Sequence, residues 1–162
     1  MTRTAGAPGP RLLKLWTRLS GMPGGRWLFS RILGRMVPYS GTIGALVEAL
    51  EPGYARLRLR DARSVRNHLG SVHAIALANV GELTSGLAVL TGLPPTVRGI
   101  VTHLEITYVK KARGTLVAEA RVTVPSVDTP VAHEVVAEIR DAEEDVVAHV
   151  RVRWRLSPVR PA

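Results

Sequence analysis

Glu82 carries the only formal charge in a long apolar run. From Val72 to Leu93 the side chains with polar atoms are His73, Asn79, Glu82, Thr84, Ser85 and Thr91. A carboxylate among aliphatic side chains is expensive unless it is paired or used, and a used one does acid–base or nucleophilic chemistry. Just ahead of the run stand Asn67, His68 and Gly70, and His73 sits where the apolar pattern begins. A helix starting there offers N–H groups without intrahelical partners at the positive end of its dipole, where negative charge is stabilised. Structural readings compete at each position: a polar contact at a subunit interface for Glu82, a local hydrogen bond for His73, loop shaping for Asn67. His68, His103, His133 and His149 have no metal-ligand spacing, and no metal site is expected.

A run apolar nearly all round makes a helix that needs walls on most sides. Extended runs supply them. Ile43–Ala49 and Tyr54–Arg60 flank Glu51-Pro52-Gly53. The second run alternates Ala55, Leu57 and Leu59 against Tyr54, Arg56, Arg58 and Arg60, which predicts a hairpin with one wet, basic face. After Leu93-Pro94-Pro95 come Arg98–Lys110, Leu116–Val124, Val131–Arg140 and Val146–Leu156. In the first of these, Ile100, Thr102, Leu104, Ile106 and Tyr108 alternate with Val101, His103, Glu105 and Thr107. In the last, Ala148, Val150, Val152, Trp154 and Leu156 point inward and His149, Arg151, Arg153 and Arg155 outward. Connections this short join antiparallel neighbours, and the acidic stretch Asp141–Asp145 reads as a solvated turn. The expected fold is α+β, an antiparallel sheet of about six strands curled around one long helix over 72–93, in the order ββα then ββββ.

Three segments are expected: a disordered leader over 1–10, basic helices over 11–37 and the main domain over 38–157. The leader holds two Pro and two Gly with no apolar periodicity. Leu12, Leu13, Trp16 and Leu19 share one face of a helix over 11–20. A second helix over 26–37 would use Trp27, Leu28, Ile32 and Met36. The pair either lids the core or forms a basic amphipathic hairpin that touches membrane or closes over a lipid-like ligand.

Arginine supplies nineteen of the twenty-two basic residues and most of the net charge of +9, and residues 1–35 hold seven cations and no acid. Such an excess suits nucleic acid, an anionic membrane or a phosphate-bearing ligand. The basic faces lack interleaved aromatics and any reading motif, so no specific nucleic acid is expected. Zero cysteines exclude a disulfide scaffold, a thiolate metal site and a Cys nucleophile, and leave a cytoplasmic location as the default expectation. Lys14 and Arg18 interrupt the early apolar cluster, which argues against a signal peptide.

The stretch NHLGSVHAIALANVGE, with Asn67, His73 and Glu82, resembles the Asn…His-Gly-Gly…Asp/Glu signature of hotdog-fold acyl-CoA thioesterases of the phenylacetate type. It is closer still to a poorly characterised hotdog subfamily with His-Ala in place of His-Gly, and the likeness covers roughly Tyr39 to Leu156. The resemblance implies a hotdog fold and hydrolysis of an acyl-CoA or related thioester, with coenzyme A as part of the substrate and no other cofactor. By the same analogy Glu82 is general base or nucleophile, Asn67 positions substrate or water, and His73 opens the helix. The Ala74 amide, with Gly70 in the preceding loop, would then face the thioester. Lys110, Lys111 and Arg113 could hold the coenzyme A phosphates. The sequence departs from the signature where Gly-Gly becomes Ala74-Ile75, which narrows backbone access and favours, as the alternative, a non-catalytic acyl-binding or regulatory protein. Glu82 lies about 13.5 Å along the helix from His73 and on its opposite side. One chain therefore cannot complete the site, and the expected assembly is a homodimer with antiparallel helices and two equal sites, a tetramer being left open.

Overall fold

A computed structural model of the protein describes residues 8–159. Helix α1 (Pro8–Leu19) and helix α2 (Gly25–Met36) lead through a single turn, α3 (Pro38–Gly41), into strands β1 (Leu46–Glu51) and β2 (Tyr54–Leu59). Helix α4 (Ala74–Gly92) follows, then β3 (Val97–Tyr108), β4 (Leu116–Arg121), β5 (Val131–Arg140) and β6 (Val146–Pro158). The six strands form one sheet in the order β1-β2-β4-β5-β6-β3, every pairing antiparallel. Short turns account for the β1–β2, β4–β5 and β5–β6 pairings. The expectation that β3 and β4, joined by only 109–115, would also be neighbours is corrected: β3 lies at the far edge against β6, and β4 pairs with β2. The long connection from β2 to β3 carries the helix.

The sheet's inner face closes on α4. Leu57, Leu59, Leu116, Ala118, Ile139, Val150, Val152 and Leu156 are fully buried there, as are Val80, Ala88 and Val89 of the helix. Two positions let helix and sheet approach closely. A Cβ on Gly81 would fall 2.3 Å from a Val150 methyl, and Gly86 lies over the Trp154 ring. By length and composition α4 could cross a membrane, with mean hydropathy 1.4, but two-thirds of its apolar window is buried against the rest of the protein. It is a core helix.

Several expectations are corrected. Of the predicted leader, residues 1–7 lie outside the described residues, while Pro8–Pro10 form the first turn of α1. Proline suits that turn, where the backbone N–H has no partner to lose. Gly9 then packs directly on the α4 backbone, since a Cβ there would sit 2.0 Å from the Leu90 carbonyl oxygen. In α2 the buried side chains are Phe29 and Leu33, and Trp27, Leu28 and Met36 are exposed. Phe29 meets the Trp16 ring edge-on at 5.1 Å, so an aromatic contact between helices sets which face turns in. Strand β1 starts at Leu46 and not Ile43, because α3 and Gly44, with φ of 64°, occupy the preceding residues. Strand β4 ends at Arg121, short of Val124.

The alternation along β3 is also broken. Val101 pairs with Trp154 and His103 with Arg153, leaving Thr102 in a bulge. The bulge moves Ile100 to the outer face, where it is 65% exposed, while Leu104, Ile106 and Tyr108 remain opposite the inward residues of β6. The wet face of β2 is no free basic stripe either. Arg56 and Arg58 both pair with Glu48, and Arg56 also with Glu119 at 2.7 Å.

Candidate active site

The loop before α4 is built by its own polar side chains. The Asn67 Oδ1 accepts from the Leu69 N–H at 2.9 Å and the Ser71 N–H at 3.2 Å, and its Nδ2 donates to Ser71 Oγ at 3.0 Å. An asparagine that closes a turn on its own backbone is a common loop device. Gly70 sits at the tip with φ of 66°, a conformation that favours glycine. Backbone bonds dock the loop's end, the Val72 N–H donating to the Ala112 carbonyl at 2.8 Å and the His73 N–H to the Val65 carbonyl at 2.7 Å.

His73 caps the helix. Its Nδ1 accepts from the Ile75 N–H at 3.0 Å, which puts the proton of the neutral ring on Nε2. The Ala76 and Leu77 N–H groups both turn to the His73 carbonyl. The Ala74 N–H has no acceptor among the described residues, so the helix start keeps one free donor beside the exposed side chain of Ile75. The hydroxyl of Tyr108, at the end of β3, donates to the Ala74 carbonyl at 3.2 Å and fixes the helix start against the sheet edge.

Glu82 lies two turns further on. Ile75, Ala78 and Glu82 share a partly open stripe of α4, with Glu82 half-buried and Ile75 56% exposed. No hydrogen bond or ion pair reaches the Glu82 carboxylate among the described residues, and burial pushes its carboxyl above the ordinary glutamate range. One residue here escaped the sequence reading. Asn79, one turn before Glu82, is buried with its Oδ1 unpartnered. A lone Asn in an apolar run was the available signal.

The structure thus brings Asn67, Gly70, His73 and Ala74 together and leaves Glu82 apart. It also brings part of the basic segment close, because Ala112, between Lys111 and Arg113, holds Val72. Lys110 is differently placed. Its ammonium lies 2.7 Å from Asp141 and 2.6 Å from Asp145, and the two carboxylates hold its pKa well above the usual lysine value. Asp141 is buried and also accepts from the Glu143 and Asp145 N–H groups, so this turn is anchored and not merely solvated. Lys111 and Arg113 are exposed and unpaired among the described residues.

Six antiparallel strands around one long helix in the order ββαββββ are the hotdog fold. Within it, the chain belongs to the DUF4442 family, described as a domain of unknown function, which matches residues 25–156. It is 34% identical over 122 residues to a Halobacterium salinarum protein provisionally named an esterase, covering 70% of this chain and 81% of that protein. A Pseudomonas aeruginosa protein of unknown function, described as a probable thioesterase, is similar with TM-score 0.72 and 24% identity, over 85% of this chain and 97% of that one. A Streptococcus pneumoniae hypothetical thioesterase solved with coenzyme A is similar with TM-score 0.65 and 16% identity, over 79% and 99% of the two chains. At these identities the likeness of the two structures is one of fold.

Proposed function

We propose that the protein is a hydrolase of acyl thioesters, with acyl-CoA as substrate class, acting as a homodimer. The observation that carries this reading is Glu82, a half-buried carboxylate with no partner among the described residues, on a helix whose first N–H has no acceptor among them either. Glu82 takes a proton from water, and the hydroxide adds to the thioester carbonyl carbon. The oxyanion is held by the Ala74 N–H of the other protomer, with the helix dipole behind it. The oxyanion then re-forms the carbonyl as the C–S bond breaks, and the leaving thiolate takes the proton that Glu82 holds, which returns the carboxylate to its starting state. His73 holds the helix start through Nδ1 and presents its Nε2–H outward. Asn67 shapes the loop that carries both. Lys111 and Arg113 are the cations free to meet the coenzyme's phosphates, and Lys110 is not.

A second reading, an acyl-binding protein without turnover, is favoured by one observation, the exposed Ile75 side chain beside the free amide where the signature has glycine. Steady-state assay on an acyl-CoA panel, with Glu82→Gln as control, separates the two. Hydrolysis lost in the variant supports the enzyme. Ligand binding without hydrolysis by the unaltered protein supports the second reading.

A further inference from the structure

One cavity lies away from the helix start. It holds about 730 Å³ and lies between α2, α3, the start of β1 and the middle of α4. That is well inside the range of roughly 300–1,000 Å³ for small-ligand pockets. Its apolar wall includes Leu33 from α2, Val37 between α2 and α3, Leu46 from β1 and Leu83 from α4.

Its walls are fixed by close contacts. A Cβ on Gly41 would meet the Gly34 carbonyl oxygen at 2.4 Å, so α2 and α3 touch backbone to backbone. The Ser30 hydroxyl donates to the Arg26 carbonyl at 2.8 Å and accepts from the Val47 N–H at 2.9 Å, pinning α2 to the edge of β1. A pocket held this way does not need its ligand in order to exist.

The charge around it is one-sided. Arg31, Arg35 and Arg60 line the cavity, no carboxylate does, and none of the three pairs with an acid among the described residues. Arg60 differs in this from Arg56 and Arg58 on the same strand run, which both pair with Glu48. Unpaired arginines beside an apolar hollow are complementary to a molecule with an aliphatic body and an anionic head.

We infer that this cavity binds an amphipathic carboxylate, its chain against Leu33, Val37, Leu46 and Leu83 and its carboxylate among Arg31, Arg35 and Arg60. The site stands without the hydrolytic reading, since none of its polar groups is assigned to catalysis.

Trp27 lines the cavity and is 61% exposed, so its fluorescence reports occupancy. The experiment titrates the full chain with monomeric dodecanoate, in parallel with dodecanol and with vesicles of anionic phospholipid, following fluorescence and, independently, heat. Saturable binding of dodecanoate is expected, with dodecanol weaker. The double variant Arg31→Glu/Arg35→Glu, which alters exposed side chains only, should weaken dodecanoate about tenfold and leave dodecanol unchanged. Trp27→Phe should abolish the optical signal and keep the heat, and Glu82→Gln should keep both. Equal affinity for acid and alcohol, indifference to the arginine reversals, or binding to vesicles with none to monomeric dodecanoate would each overturn the inference. Loss of hydrolysis alone bears only on the catalytic proposal.

Discussion

Glu82 and the Ala74 N–H stand on the same helix, eight residues and about 12 Å of rise apart. Thioester hydrolysis requires a base and an oxyanion donor within hydrogen-bond reach of one carbonyl group. The two groups of a single chain cannot meet there. Each is free for other company, because the carboxylate has no partner and the amide no acceptor among the described residues. On the proposed dimeric reading, a second copy supplies what is missing at the partly open stripe of α4 through Ile75, Ala78 and Glu82 and the open edge of β3.

Desolvation raises the Glu82 carboxyl pKa, and the sign of its linkage to stability follows. The folded state keeps the proton to higher pH than the unfolded chain. Glu82 therefore costs nothing below the ordinary glutamate pKa and destabilises increasingly as pH rises through the unfolded and then the folded value. Glu82→Gln should melt at a higher temperature than the parent at pH 7 to 8 and at the same temperature near pH 4. The same substitution should lower kcat by about 10²–10⁴-fold. The parent's rate should rise with pH along a limb lying above the ordinary glutamate range. Thermal melts and a pH–rate profile check both halves.

The fit of α4 against the sheet predicts a steric cost at Gly81. A methyl group there would meet Val150 at 2.3 Å, and both residues are buried, so Gly81→Ala should destabilise by about 1–3 kcal/mol in chemical denaturation. Val150→Ala, which removes the obstructing methyls, should recover part of that loss in the double variant.

Among the basic residues near the helix start, the structure separates a structural cation from two available ones. Lys110→Met removes the partner of Asp141, a buried carboxylate whose pKa that lysine holds down, and should lower the melting temperature while leaving KM for acyl-CoA nearly unchanged. Lys111→Glu and Arg113→Glu should do the reverse, raising KM several-fold with little effect on melting, because both side chains are exposed and unpaired among the described residues.

Helix α4 was legible because a segment apolar on every face has one home in a domain this size, and Glu82 stood out in it by residue type alone. Period-two alternation located all six strands, and short links made β1–β2, β4–β5 and β5–β6 antiparallel neighbours; the same rule misplaced β3, which pairs with β6 and not with β4. What stayed hidden depends on contacts between residues distant in sequence. Phe29 faces inward because Trp16 is there to meet it, and nothing in residues 25–36 alone distinguishes that face from the one bearing Trp27. The bulge at Thr102 follows from pairing with β6, fifty residues away, so the strand's own pattern misassigned Ile100. Lys110 looked like a phosphate ligand until Asp141 was seen to lie beside it. The cavity under α2 was invisible because it depends on how α2, α3 and the start of β1 fold back on one another and on the distant Arg60 and Leu83 that close it.

The central claim, that one site draws Glu82 from one protomer and the Ala74 amide from its partner, is tested by mixing two inactive variants. Glu82→Gln lacks the base. Ala74→Pro lacks the N–H at a helix position that proline tolerates, following His73 in an extended conformation that also suits it. Unfolded and refolded together in equal amounts, the two variants should form heterodimers that each hold one intact site, restoring about a quarter of the parent activity. Mixed protein that exchanges subunits yet stays as inactive as either variant alone would contradict a shared site.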